Sequence, residues 1–224
     1  MPFAARHRRD PVPSIEPLPG LLVRREDDAE FMASMQGRTP EEMTRRFAAG
    51  HRAYVAWHDG TPAAWGWVAT RSAEIGELGS SFGIPSGERY LWNFVTLAAH
   101  RGLGIYPRLL DAIVRHESRD TSDASPAERF WIAYAPENHA SGAGIRKAGF
   151  VSIAELSFDV AGRAALKGLV PGGGRIASRV LGLPEAHDDL AQCWRCVRAG
   201  RGAMSCAPGS CRCDYQVPKS GCAA

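Results

Sequence analysis

The chain has 224 residues, a formal net charge of +3 and 45% apolar residues. That length supports one well-filled core with a small appendage, and the net charge is too small to argue for a nucleic-acid partner. No apolar run approaches the roughly 20 residues that span a bilayer, and MPFAARHRRDPVPSIEPLPG lacks the apolar centre of a secretion signal, so the expectation is a soluble, cytoplasmic protein without a membrane partner.

In chain order, residues 1 to 19 read as an N-terminal extension, and GLLVRRE reads as a short first strand. Two short helices follow in EDDAEFMASM and TPEEMTRRFAAG, the second with Thr39 as N-cap, Pro40 at its first position and Gly50 just past its end. RAYVAWHDGTPAAWGWVATR sets Asp59-Gly60 between two strand-like runs, a hairpin signal. Residues 72 to 89 hold four glycines and a proline. They read as a mobile loop on the substrate side, longer than a hairpin needs. Trp57, Trp65, Trp67 and Trp92 fall on neighbouring strands, where they either line an apolar acceptor pocket or fill the core.

The stretch YLWNFVTLAAHRGLGIYPRLLDAIV carries the first chemical signal. Residues Tyr90 to Leu97 are of the aromatic and β-branched types that favour a buried strand. From Tyr106 the apolar positions Leu109, Leu110, Ile113 and Val114 keep the spacing of a helix packed by one face. Between them lie Arg101, Gly102 and Gly104, with Pro107 suited to a first helical turn. Unpartnered amides and the macrodipole at a helix start favour an anion, and glycines let it approach the main chain. The spacing differs from the Walker phosphate loop, and the third glycine of the dinucleotide fingerprint is missing. A turn that merely closes a strand–helix corner is the alternative.

A second strand-like run, RFWIAY, leads into APENHASGAGIRKAGF, residues 135 to 150. Together the two segments resemble the GNAT superfamily of acyl-CoA-dependent N-acyltransferases. That family carries Arg/Gln-x-x-Gly-x-Gly/Ala between a strand and a helix. Here the positions are Arg101, Gly102, Leu103, Gly104, Ile105 and Tyr106, with only Tyr106 departing from the pattern. Its downstream asparagine, small residue and Gly-Phe pair match Asn138, Ser141, Gly149 and Phe150. The resemblance covers residues 20 to 160 and implies a mixed, largely antiparallel central sheet flanked by helices. Without it, the alternation of elements says only a mixed α/β domain.

The resemblance further implies acetyl-CoA as cosubstrate, an amine acceptor and, as one arrangement, a homodimer. The pantetheine arm would pair with Val95 and Thr96, and the pyrophosphate would sit on the amides of Arg101 through Tyr106. Tyr106 would donate to a phosphate oxygen or simply belong to the core. Asn138, with Ser141, would hold the cofactor side of the cleft or cap the helix that follows. Many members place a tyrosine acid seven residues after the asparagine, where this chain has Ile145. Glu88 is the candidate base, with Glu137 and His100 behind it, and Tyr134 the candidate acid.

Residues 161 to 192, with Pro171 followed by three glycines, read as a linker or hinge. Residues 193 to 224 hold all six cysteines and form a cysteine-rich tail, and residues 160 to 224 carry nine Lys/Arg against four Asp/Glu, a basic surface. Cys193, Cys196, Cys211 and Cys213 outline a Zn2+ site with a loose Cys-x-Cys second pair. A redox-active pair, a last strand over CWRCVRA, or a disordered tail are the alternatives. The functional expectation is transfer of an acetyl or short acyl group from coenzyme A to an amine. The rivals are a silent CoA-binding module and a metal-dependent interaction protein.

Overall fold

The computed structural model describes residues 1–76, 79–120, 126–158 and 163–186. Its centre is an eight-stranded sheet in the order β10-β9-β1-β8-β7-β4-β3-β2. In chain order the elements are β1 (Pro2–His7), β2 (Leu21–Glu26), α1 (Ala29–Gln36), α2 (Pro40–Ala48), β3 (His51–His58) and β4 (Thr61–Ala69). A small hairpin of β5 (Ser72–Ile75) and β6 (Ser80–Gly83) precedes β7 (Glu88–Thr96), α3 (Ile105–Arg119), β8 (Arg129–Ala133) and α4 (His139–Lys147). The described chain closes with β9 (Val151–Phe158), β10 (Ala164–Gly168) and α5 (Gly173–Leu181). Among the described residues β7 with β8 is the sheet's parallel pairing, and its other pairings are antiparallel. The mixed, largely antiparallel sheet flanked by helices is therefore as expected.

Local chemistry explains most boundaries. Asp28 caps α1 by accepting from the amides of Glu30 and Phe31, and Gly37 ends it in the left-handed conformation. Thr39 caps α2 with Pro40 inside its first turn. Asp59 and Gly60 both take positive φ, 49° and 77°, between β3 and β4, as a two-residue hairpin turn requires.

Burial alternates across the sheet. Tyr54 and Ala56 face the cluster that holds α3 and α4, whereas Ala53 and Val55 face α1 and α2. Phe3, Ala5 and Trp131 pack beside α5 and the β5–β6 hairpin on that second face.

The back of α3 is bolted to the sheet by buried charge. Glu117, fully buried, accepts from Arg52 at 2.7 Å, Arg89 at 3.2 Å and the Tyr54 hydroxyl at 2.7 Å. Burial first, and then this carboxylate, push the Tyr54 phenol well above its ordinary range. Six residues earlier Asp111 accepts from Arg6 of β1 at 2.9 Å and also pairs with Arg115.

Three expectations are corrected. The supposed N-terminal extension holds β1, which sits inside the sheet between β8 and β9, so that GLLVRRE is the second strand. The supposed linker holds β10 and α5, both packed on the domain. The supposed mobile loop contains β5 and β6, paired Ser72↔Gly83 through Ile75↔Ser80. In the second case the glycines serve close approach. A Cβ on Gly173 would lie 2.1 Å from the Ile153 carbonyl oxygen, and one on Gly168 2.9 Å from the Gly174 amide nitrogen.

Gly173→Ala is accordingly expected to destabilise the domain by about 1–3 kcal/mol, because the obstructing atom is backbone and cannot rotate away. Gly76→Ala, where an added Cβ meets nothing within 4 Å, should stay within about 0.5 kcal/mol of the parent. Denaturant melts of the two variants check the pair of values.

Candidate functional site

Among the described residues, strand β7 has two neighbours only along its first half. It pairs with β8 from Glu88↔Arg129 to Leu91↔Ile132 and then runs on to Thr96 beside β4 alone. The register on β4 shifts between Trp65 and Trp67, so that Asn93 and Phe94 together oppose Gly66. Asn93 takes φ 52° there, and its amide donates to Gln36 Oε1 at 3.3 Å. Gly66 is small because the Phe94 ring lies across it, 2.0 Å from where a Cβ would be.

The free edge can be assigned by alternation. Leu97 donates its amide to the Ala63 carbonyl at 2.9 Å, so Leu97 and Val95 point their backbone groups at β4, and Phe94 and Thr96 point theirs into the gap. The Thr96 carbonyl confirms the direction by accepting from Arg101 Nε at 3.2 Å. Of the two expected backbone partners, Thr96 faces the gap and Val95 does not. Phe94, which sequence reading missed, faces the gap instead, since the bulge that sets the alternation has no sequence signal beyond Asn93.

The gap opens onto the glycine turn. Gly102 and Gly104 have φ of 83° and 70°, and Gly104 stands at the N-cap of α3 with no side chain capping that end. A Cβ on Gly102 would meet nothing within 4 Å, so the space above the turn is open. Leu103 turns its side chain to solvent, at 43% exposure, while Ile105 is buried. Arg108 reaches back to the Gly104 carbonyl at 2.7 Å and holds the Glu16 carbonyl at 2.6 Å, fixing the turn from outside. A cavity of about 650 Å³ follows the turn between β7 and α4, with Thr96, Arg101, Asn138, Ser141 and Lys147 on its walls.

The opposite wall is α4. Asn138 accepts from the Ser141 amide at 3.0 Å and so is a helix cap. It also borders the cavity, and capping uses its oxygen only. Tyr106 fits because Gly144 is bare: a Cβ there would lie 2.4 Å from the ring. The Tyr106 hydroxyl sits 3.3 Å from Ser141 Oγ, and burial pushes its pKa up to about 12. It is a neutral hydrogen-bonding group at ordinary pH, packed against Phe94 at 5.6 Å. Tyr106 is thus packed against the core and also borders the cavity. Ile145 is buried at 1% exposure and belongs to the core.

A second cavity of about 520 Å³ lies on the other side of the gap and shares Phe94, Tyr106, Asn138 and Ser141 with the first. Tyr134, at the end of β8, lies on its wall and is held against Gly142. Glu88 does not reach either cavity. Its carboxylate accepts from Trp131 Nε1 at 2.6 Å and Arg129 at 3.2 Å, at 7% exposure, and it starts β7 seven residues, roughly 23 Å, from Val95. The candidate base is therefore a buried structural partner. His100 borders the first cavity, edge-on to His58 at 5.8 Å. Cys193, Cys196, Cys211 and Cys213 lie outside the described residues, and among the described residues no group of three His, Cys, Asp or Glu is placed to hold a metal. Among them also, no helix is long and apolar enough to cross a membrane.

No protein-family model matches the chain, and no curated protein matches it. Solved structures do. A GCN5-related N-acetyltransferase from Kribbella flavida is 17% identical with a TM-score of 0.45, over 67% of this chain and 53% of that one. A GNAT-family acetyltransferase from Novosphingobium aromaticivorans is 20% identical with a TM-score of 0.43, over 67% of this chain and 59% of that one. The aminoglycoside N-acetyltransferase AAC(6')-Iy in complex with CoA is 16% identical with a TM-score of 0.43, over 62% and 97% respectively. The chain thus spans little more than half the length of the first two. At such identities the likeness is one of fold. The sheet and its flanking helices are the mixed, largely antiparallel arrangement that the resemblance at 101–106 and 138–150 implies.

Gly144→Ala should cost about 1–3 kcal/mol by driving into the Tyr106 ring. In a Tyr106→Ala background most of that cost should vanish, a coupling that a double-mutant cycle of thermal or denaturant melts measures directly.

Proposed function

We propose that the chain binds an acyl-CoA in the gap between β7 and β8 and transfers its acetyl or short acyl group to an amine. One observation carries this reading: a strand edge without a neighbour among the described residues runs straight into an uncapped, glycine-opened helix start. Backbone donors and acceptors without partners are costly unless a ligand or water meets them, and the Phe94 backbone and the Thr96 amide face the gap where an extended arm can pair with them, the Thr96 carbonyl being held by Arg101. Pyrophosphate suits the amides of Gly102 through Tyr106, where α3 adds its positive dipole end, with Arg101 and Lys147 alongside. The lining is correctly sized, because Ser141, Ala143 and Gly144 leave room that larger residues would fill.

Coenzyme A supplies a thioester, whose carbonyl carbon is the electrophile. The protein's part is to hold that carbonyl near the Phe94 amide, which donates to the oxygen as negative charge develops, and to admit the amine from the second cavity. The amine nitrogen forms a bond to the carbonyl carbon, the carbon–sulfur bond breaks, and the nitrogen releases a proton to solvent. The sulfur takes a proton from the Tyr134 hydroxyl, which recovers one from solvent. The products are the N-acyl amine and the free thiol. An isoleucine at 145 carries no proton to give, and Tyr134 on the wall of the second cavity is the group offered for the role.

Acetyl-CoA at about a hundred times its Kd should stabilise the protein by about 2.7 kcal/mol in thermal melts. Gly102→Asp puts a carboxylate into open space in front of the helix start, and should weaken CoA binding at least roughly tenfold in calorimetry. CoA affinity unchanged in that variant would refute the assignment of the turn. Thiol release from acetyl-CoA over a panel of amines then separates an enzyme from a silent CoA-binding module.

A further inference from the structure

The second cavity carries information about the acceptor. The charged side chains among its described lining residues are Arg38, Arg46 and Glu74, set among Trp92, Phe94 and Tyr134. Arg46 is held rigidly. It donates to Glu42 at 2.6 Å and to Gln36 at 3.3 Å, and its guanidinium lies over the rings of Trp67 at 5.1 Å and Trp92 at 4.9 Å. Those two bonds use a part of its five donors. Gln36 is the hub of this wall, since its Oε1 also accepts from Trp67 Nε1 and Asn93 Nδ2.

Arg38 stands between α1 and α2 and is exposed. Its side chain makes no hydrogen bond or ion pair among the described residues, whereas most arginines of the fold are engaged. A flat guanidinium at the mouth of an aromatic-walled cavity, beside a second one already clamped, complements a carboxylate or phosphate. It would repel a polycation. Glu74 projects from the opposite side, on the β5–β6 hairpin, also exposed and without a partner among the described residues. Two cations on the helix side and one carboxylate on the hairpin side suit a molecule with an anionic and an ammonium end.

Resting on the acyl-CoA reading above, we propose that the acceptor is a small primary amine that also carries an anionic group, read by Arg38 and Arg46. The amine end is drawn toward Glu74 and the gap at Phe94, and the anionic end stays against the helix side. Arg46 and Gln36 then act in specificity as well as in packing, and Arg38 is the residue whose only evident use is the acceptor.

The test measures thiol release from saturating acetyl-CoA with glycine, β-alanine and phosphoethanolamine, against ethanolamine and propylamine as counterparts that lack the anionic group and spermidine as a polycation. The amines that carry an anionic group should exceed the counterparts that lack one in kcat/KM by roughly tenfold or more, the weight of one charge-assisted hydrogen bond. Glycine and β-alanine against phosphoethanolamine decide between carboxylate and phosphate. Arg38→Ala should reduce that margin to below roughly threefold and Arg38→Lys should keep part of it, while calorimetry shows CoA affinity unchanged in both. Preference for the amines without an anionic group or for spermidine, a margin that survives Arg38→Ala, or binding of CoA with no turnover of any amine that carries an anionic group each overturn the proposal. Failure of the parent protein to bind CoA overturns the acyl-CoA reading itself, and this one with it.

Discussion

The parting of β7 from β8 after four paired residues is the constraint on which the rest of the molecule depends. Parallel neighbours normally stay together, because each exposed amide or carbonyl inside a protein costs free energy until something pairs with it. Here the pairing is broken by construction. The bulge at Asn93 and Phe94 turns the last half of β7 and increases its twist, and β8 ends at Ala133. The open edge is kept open by α4 on one side and α3 on the other.

Holding α3 in that place falls to ionic groups that the chemistry itself has no use for. Glu117 and Asp111 sit on the buried face of α3 and meet Arg52, Arg89 and Arg6 from three different strands. Buried ion pairs of this kind contribute little to stability over an apolar core, but removing one partner strands the other charge at a cost of about 3–5 kcal/mol. Their value here is register. A helix that slid by one turn would break both carboxylate sites at once, and the glycine turn at its start would leave the gap.

Much of the fold was legible in the sequence because its signals are local. The caps at Thr39 and Asn138, the Asp59-Gly60 turn, the apolar stripe of α3 and the glycines at 102 and 104 each act within a few residues of themselves. The elements that escaped notice depend on distant partners. Pro2–His7 contains Arg6 and His7 and looks like a polar extension. It becomes a central strand because Arg6 meets Asp111, 105 residues away, and Phe3 and Ala4 are covered from both faces. The run Pro171 to Gly174 looks like a hinge, since glycine reports freedom of the chain when read alone. In the folded protein the same bare Cα positions allow α5 to touch the Ile153 carbonyl.

The sequence by itself determined that a strand, a glycine turn and a helix start stand in a row, and that a second capped helix follows a second strand. Those are properties of neighbours along the chain, and covalent connection alone brings them together. Tertiary structure decided the rest. It removed Glu88 from candidacy by pairing it with Trp131 and Arg129, and it turned Val95 toward β4 and Phe94 toward the gap. It also set Tyr134, Arg38 and Glu74 around one cavity although they lie on three separate elements. Such assignments depend on which strand lies beside which and in what register. No residue encodes that choice alone, because pairing is settled by the burial and hydrogen bonding of the whole sheet together.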